Sequence, residues 1–244
     1  MNYNWNWGIF IEQVKGGDER YLDWLITGLG WTVAVAMTAW VIASVLGIIF
    51  GTLRTAPHRG LVFIGNCWVE LFRNIPLLVQ MFLWFFVVPE LLPRDWSLWV
   101  KQEMPAKEFV TAAICLGLFT SARIAEQIRA GIQSIPRGQS MAGLALGFTV
   151  TQTYRYVILP MAFRIVIPPL TSEFMNVFKN SSVAFAIGVL ELTFQARQMQ
   201  EDSEQGIETY AAITLLYFIC AFTANRVMAV IENRTRVPGY IAGK

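Results

Sequence analysis

Glu173, Asn176 and Asn180 fall at i, i+3 and i+7, so a helix through them carries all three on one face. They sit at the end of an apolar run, and an ionisable group inside a bilayer is costly enough to mark a functional position. The expected chemistry is recognition rather than bond making. Glu173, Asn176 and Asn180 form a wet face, Lys179 near its outer end meets a substrate carboxylate, and the two amides complete the contact. Two plainer roles compete: Lys179 snorkelling to the outer headgroups, and Glu173 neutralised by Arg164 or a neighbouring helix. Arg123, Glu126 and Arg129 are spaced for ion pairing within one helix.

Nothing in the chain assembles into a catalytic site. His58 is the single histidine, in a short basic loop beside Pro57 and without a nucleophile in a triad-like context. There is no G-x-x-x-x-G-K-[ST] for a nucleotide, and no HExxH or carboxylate cluster for a metal. Cys67, Cys115 and Cys220 lie singly in apolar stretches and read as buried thiols. No cofactor or metal is expected, and if ATP supplies energy, another subunit hydrolyses it.

A second set of residues suits a partner. Between Ser134 and Pro160 the chain is framed by Pro136, Gly138 and Pro160. Met141, Leu144, Ala145 and Phe148 recur at i, i+3, i+4 and i+7, which makes a short helix with one apolar face. Gly147 permits a left-handed end to it. Such a helix between two membrane spans is a docking knob for a cytoplasmic protein, or else a cover over the ends of the spans.

The elements that must position these residues are apolar helices. Apolar residues make up 55% of the 244 residues and mean hydropathy is +0.47, too greasy for an ordinary soluble domain. A bilayer needs about 20 apolar residues per helix, and five stretches approach that: 22–53, 61–92, 109–131, 161–180 and 207–231. They leave 134–160 as a loop. Residues 181–192 are apolar but too short to span, as in a re-entrant or interfacial helix. One all-α membrane domain over 1–244 is the expectation. Met1–Trp7 has no basic residue ahead of an apolar run, so the first helix is expected to remain in the mature protein.

Five spans place the two ends on opposite sides. With the C-terminus cytoplasmic, the inner segments hold 12 Lys/Arg against 3 Asp/Glu, and 12 − 3 = +9. The other side holds 7 against 13, or −6, with Glu173 left inside the fourth span. The positive-inside rule therefore puts the N-terminus outside and the C-terminus inside. Net charge is only +2, which gives no concentrated basic face for nucleic acid. Leu61, Ile64, Trp68 and Leu71 form an amphipathic stripe suited to a helix lying on the cytoplasmic leaflet. Asn74 is expected to cap the second span, with Pro76 in its first turn.

Several blocks resemble the ABC importer permeases of the polar amino acid (histidine/glutamate) type. The family's docking loop reads E-A-A, three residues, Gly, nine residues, Ile-x-Leu-Pro. Ala142, Gly147, Val157, Leu159 and Pro160 occupy that frame, while Met141 stands for the Glu and Gly143 for the second Ala. The segments Glu70–Gln80, Ser121–Gln139 and Lys179–Thr193 are similar to the same family. Asn4–Phe10 and the Arg234–Lys244 tail look like its glutamate/aspartate members. The resemblance implies a type I ABC importer permease fold in a bacterial inner membrane. It implies ATPase docking at Met141, Ala142, Leu144, Ala145, Gly147 and Phe148. Its implied partners are a homologous second permease, two ATPase subunits and a periplasmic substrate-binding protein. The implied cargo is glutamate or aspartate; another polar amino acid of the same family (an amide or a basic one) and a stand-alone secondary transporter are the alternatives.

Overall fold

The computed structural model describes residues 3–235, and these are almost wholly helical. The tail from 236 to 244, part of the glutamate/aspartate-type resemblance, lies outside the described residues. A 3₁₀ turn at Trp7–Ile11 and an isolated bridge between Gln13 and Arg20 precede α1 (Tyr21–Leu53). Then follow α2 (Arg59–Asn74), α3 (Leu77–Phe82), α4 (Val88–Leu91) and α5 (Arg94–Leu98). The remaining helices are α6 (Lys107–Gln133), α7 (Arg137–Ala145), α8 (Val150–Thr153), α9 (Leu159–Asn180), α10 (Leu192–Ser203) and α11 (Gly206–Thr235).

By length and apolarity α1, α6, α11 and the run 150–187 qualify as spans, and α2 with the α3–α4 run makes a broken fifth. α1 carries one acidic residue, Asp23, in 33 residues, and at about 1.5 Å per residue it is longer than a bilayer core is thick. The break between α2 and α3 falls at Ile75, whose φ of −99° and ψ of 130° are the extended values imposed by a following proline. Pro76 is itself the N-cap of α3, and no side chain caps that helix. The expected cap from Asn74 does not form, since Asn74 belongs to α2, where its amide N–H donates to the Glu70 carbonyl at 2.9 Å and carboxylate at 2.6 Å.

The chain divides into two compact units. The first gathers residues 1–39, 76–116 and 176–223. Its core is Leu25, Leu192, Ala196 and Ile213, with Ile9, Tyr21 and Met199 beside the N-terminal turn. Among its buried polar groups is Glu191, which caps α10 by accepting from the Thr193 and Phe194 N–H groups at 2.9 Å each and also accepts from the Tyr217 hydroxyl. The N-terminal segment is tied down by Glu208, which accepts from the Tyr3 hydroxyl and, at 2.8 Å, from the Asn6 N–H.

The second unit gathers 40–75, 117–175 and the end of the chain. Ala43, Ile124, Ile128, Ile132, Ile158 and Val166 form its core. Gly47 and Gly51, four residues apart on α1, face α6: a Cβ on Gly47 would come within 2.6 Å of the Ile124 Cβ, and one on Gly51 within 2.7 Å of the Ala125 carbonyl. Small residues at this spacing let two membrane helices approach backbone to backbone. α2 packs through Gly65, Val69 and Phe72, and Trp68 stacks on Phe50 with centroids 4.0 Å apart. Leu61, Ile64 and Leu71 of the amphipathic stripe remain exposed.

Candidate functional site

α6 supplies Phe119, Arg123 and Gln127 at intervals of four, so the three stand on one helix face. In the second unit this face meets Glu173 of α9 and Arg73 of α2 around a cavity of about 340 Å³, with Glu126 completing the wall. Glu173 is 9% exposed and pairs with Arg123 at 3.1 Å. Gln127 Nε2 donates to its other oxygen at 3.3 Å. Gln127 Oε1 is buried and accepts from no group in the described structure. Arg123 is 42% exposed on the side chain and lies over the Phe119 ring. Arg73 is exposed and has no partner among the described residues.

The charge around this cavity is positive. Glu126 is already shared between Arg54 and Arg129, so the local count is four arginines against two glutamates, 4 − 2 = +2. Arg129 pairs with Glu126 within α6, as its spacing predicts, but Arg123 does not: it reaches across to α9. Arginines and carboxylates around one opening can hold a molecule bearing both carboxylate and ammonium groups. They have no arrangement for bond making.

Of the other residues singled out on α9, Asn176 and Asn180 are half-buried and Lys179 is exposed. All three belong to the first unit and do not line this cavity. Sequence reasoning overlooked Arg73, Phe119 and Gln127. The four-residue recurrence of Phe119, Arg123 and Gln127 is the signal that identifies the face; nothing in the sequence assigns Arg123 to Glu173.

The second candidate surface is α7. Met141 is 65% exposed, and Ala142, Leu144, Ala145 and Phe148 are exposed with it. The buried member is Gly143, where a Cβ would meet the Thr153 side chain at 2.9 Å. α7 thus lies against the last residue of α8 by its glycine and turns its apolar residues outward, which is not how a lid over span ends would point. Gly147 has φ +85°, and after it the Phe148 N–H returns to the Gly143 carbonyl at 3.1 Å, closing the helix end. Thr149 then begins α8 with a reciprocal capping box to Gln152. Leu146, at the tip, is the most exposed apolar residue of the loop and the one that the helical spacing missed.

Residues 43–237 match the family described as binding-protein-dependent transport system inner membrane component. The glutamate/aspartate import permease protein GltJ of Escherichia coli (strain K12) is 46% identical over 246 residues, covering 100% of both chains. The glutamate/aspartate import permease protein GltK of Escherichia coli O6:H1 is 31% identical over 215 residues, 88% of this chain and 94% of that protein. A chain in the crystal structure of an amino acid ABC transporter with histidines is 29% identical and superposes with a TM-score of 0.76, covering 88% of this chain and 95% of that one.

Proposed function

This chain belongs to the family of binding-protein-dependent transport system inner membrane components and is the permease subunit of an amino acid ABC importer, and from that premise we propose that its cargo is an acidic amino acid recognised at the Arg123–Glu173 cavity. The subunit is not the enzyme; ATP is hydrolysed by separate subunits.

One observation carries the substrate reading: two arginines, one of them unpaired, face the same opening as Glu173. An acidic amino acid brings two carboxylates and one ammonium. Arg73 and Arg123 take the carboxylates, because guanidinium groups bind carboxylates bidentately. Glu173, positioned by the Gln127 amide N–H, takes the ammonium. The glutamate/aspartate naming of both bacterial relatives agrees with this assignment. Lys179, Asn176 and Asn180 are polar positions of the first unit and take no part in this cavity.

The N-terminus lies outside and the C-terminus in the cytoplasm of a bacterial inner membrane, supported by the +9 against −6 distribution. α7 is then cytoplasmic, and Met141, Ala142, Leu144, Ala145, Gly147 and Phe148 form the seat of an ATPase. The assembly comprises this chain, a homologous second permease, two ATPases and a periplasmic binding protein. ATP-driven closure of the ATPases moves α7 and, through it, the spans. The change is directional because each state binds its ligands with different affinity.

The test is uptake by the complete importer in proteoliposomes, with labelled glutamate, aspartate and glutamine. Arg123→Gln and Arg73→Gln are expected to lower glutamate and aspartate uptake by about 10-fold or more, the worth of one charge-assisted hydrogen bond. Glutamine uptake falls less. Equal loss for the acid and the amide contradicts the assignment of these arginines to the side-chain carboxylate.

A further inference from the structure

A second polar opening in the same unit has no part in the transport reading. It measures about 550 Å³ and lies at the level where α1 and α6 end, at the boundary of two apolar spans. Arg54 and Thr55 close one side, Gln133 the next, and Arg137 and Ser140 of α7 the third. None of the residues around it is acidic.

Arg54 is a nine-tenths buried side chain held in place from two directions. Its Nη1 pairs with Glu126 and its Nε donates to Asn66 Oδ1 at 2.8 Å, leaving Nη2 without a partner among the described residues. Arg137 is exposed and likewise makes no ion pair there. Two guanidiniums, Arg54 and Arg137, line the opening with no acid in its wall, and the one carboxylate that meets Arg54 from outside it, Glu126, is divided with Arg129. Of the remaining polar groups, Tyr154 and Thr55 spend their hydroxyl protons on the Thr55 and Thr52 carbonyls and Gln133 Oε1 accepts from Arg129, which leaves the Ser140 hydroxyl and the Gln133 amide N–H as donors beside the arginines. The first turn of α7 forms part of the same wall, and no side chain caps it.

A pre-positioned, acid-free group of donors with excess positive charge fits a tetrahedral oxyanion better than a carboxylate pair or a cation. We propose that this opening binds a phosphate group, carried by an anionic phospholipid or free in solution. Its place at the ends of two spans puts it at headgroup depth, where basic pockets between membrane helices take lipid phosphates. Because its wall includes the root of α7, occupancy ties that helix to the ends of α1 and α6.

The experiment is native mass spectrometry of the complete detergent-solubilised importer with phosphatidylglycerol, phosphatidylcholine or inorganic phosphate. Wild type is expected to retain phosphatidylglycerol or inorganic phosphate about five-fold better than Arg137→Gln does, the size of one arginine contact near an anionic surface. Arg137→Lys recovers most of the retention, and Arg59→Gln, which changes an arginine elsewhere on the unit, loses none. Retention of phosphatidylglycerol that inorganic phosphate does not displace identifies the lipid. Retention of phosphate alone identifies the free ion. Equal retention by wild type and Arg137→Gln, or an equal loss in Arg59→Gln, overturns the proposal.

Discussion

At the scale of single residues, the cavity depends on how a buried carboxylate is held. Glu173 has two partners, Arg123 and Gln127, and the Gln127 oxygen is a buried acceptor without a partner. Gln127→Leu removes both a donor to Glu173 and that acceptor. The expected outcome is a KM for glutamate raised by about 10-fold, one hydrogen bond to a charged group, with co-purification of the ATPase unchanged. An unchanged KM places the ammonium elsewhere. Glu191 offers a different test, since burial pushes its carboxyl up despite the donors around it. A folded-state value above the unfolded one means a contribution present below the unfolded value and lost as pH rises through the folded one. The thermal midpoint of wild type is therefore expected to fall as pH rises past the ordinary carboxylate range, and Glu191→Gln to flatten that part of the profile. Glu173 was legible from sequence as a lone carboxylate in an apolar run. Its partner was not, because helical spacing pairs Arg123 with Glu126 and only the packing of α6 against α9 redirects it.

At the scale of elements, local pattern and packing divide the information between them. The short helix α7 could be read from Met141, Leu144, Ala145 and Phe148, and its end from Gly147. Whether that apolar face was buried or presented could not, since periodicity is the same in both cases. Gly143 decided it by being the one residue small enough to sit against Thr153. The stripe on α2 was legible in the same way, while its packing face, Gly65, Val69 and Phe72, follows from the contact with α1. Leu144→Asp is expected to reduce ATPase co-purification at least about 10-fold, the loss of one buried apolar anchor, with membrane insertion intact. Normal recovery of the ATPase removes α7 from the docking role. Gly47→Leu forces side-chain atoms into the α1–α6 contact and is expected to destabilise the subunit by about 1–3 kcal/mol, seen as a lower thermal midpoint in detergent. A midpoint equal to wild type means that the two helices do not need to approach so closely.

At the scale of the whole molecule, the chain is a permease subunit whose ATP hydrolysis lies in separate subunits. Reconstituted with its permease partner, ATPase and binding protein, it is expected to give ATP-dependent glutamate uptake, and to give none when the ATPase is omitted. Uptake by this chain alone contradicts the dependence on partners. The docking role proposed for the outward-facing residues of α7 has a further consequence for the cell. A copy made in excess over its ATPase presents Met141, Leu144, Leu146 and Phe148 to water as bare hydrocarbon, the kind of surface that chaperones and proteases survey. Subunit stoichiometry can thus be enforced after synthesis: orphaned copies are cleared, and the amount of importer follows the supply of its scarcest component.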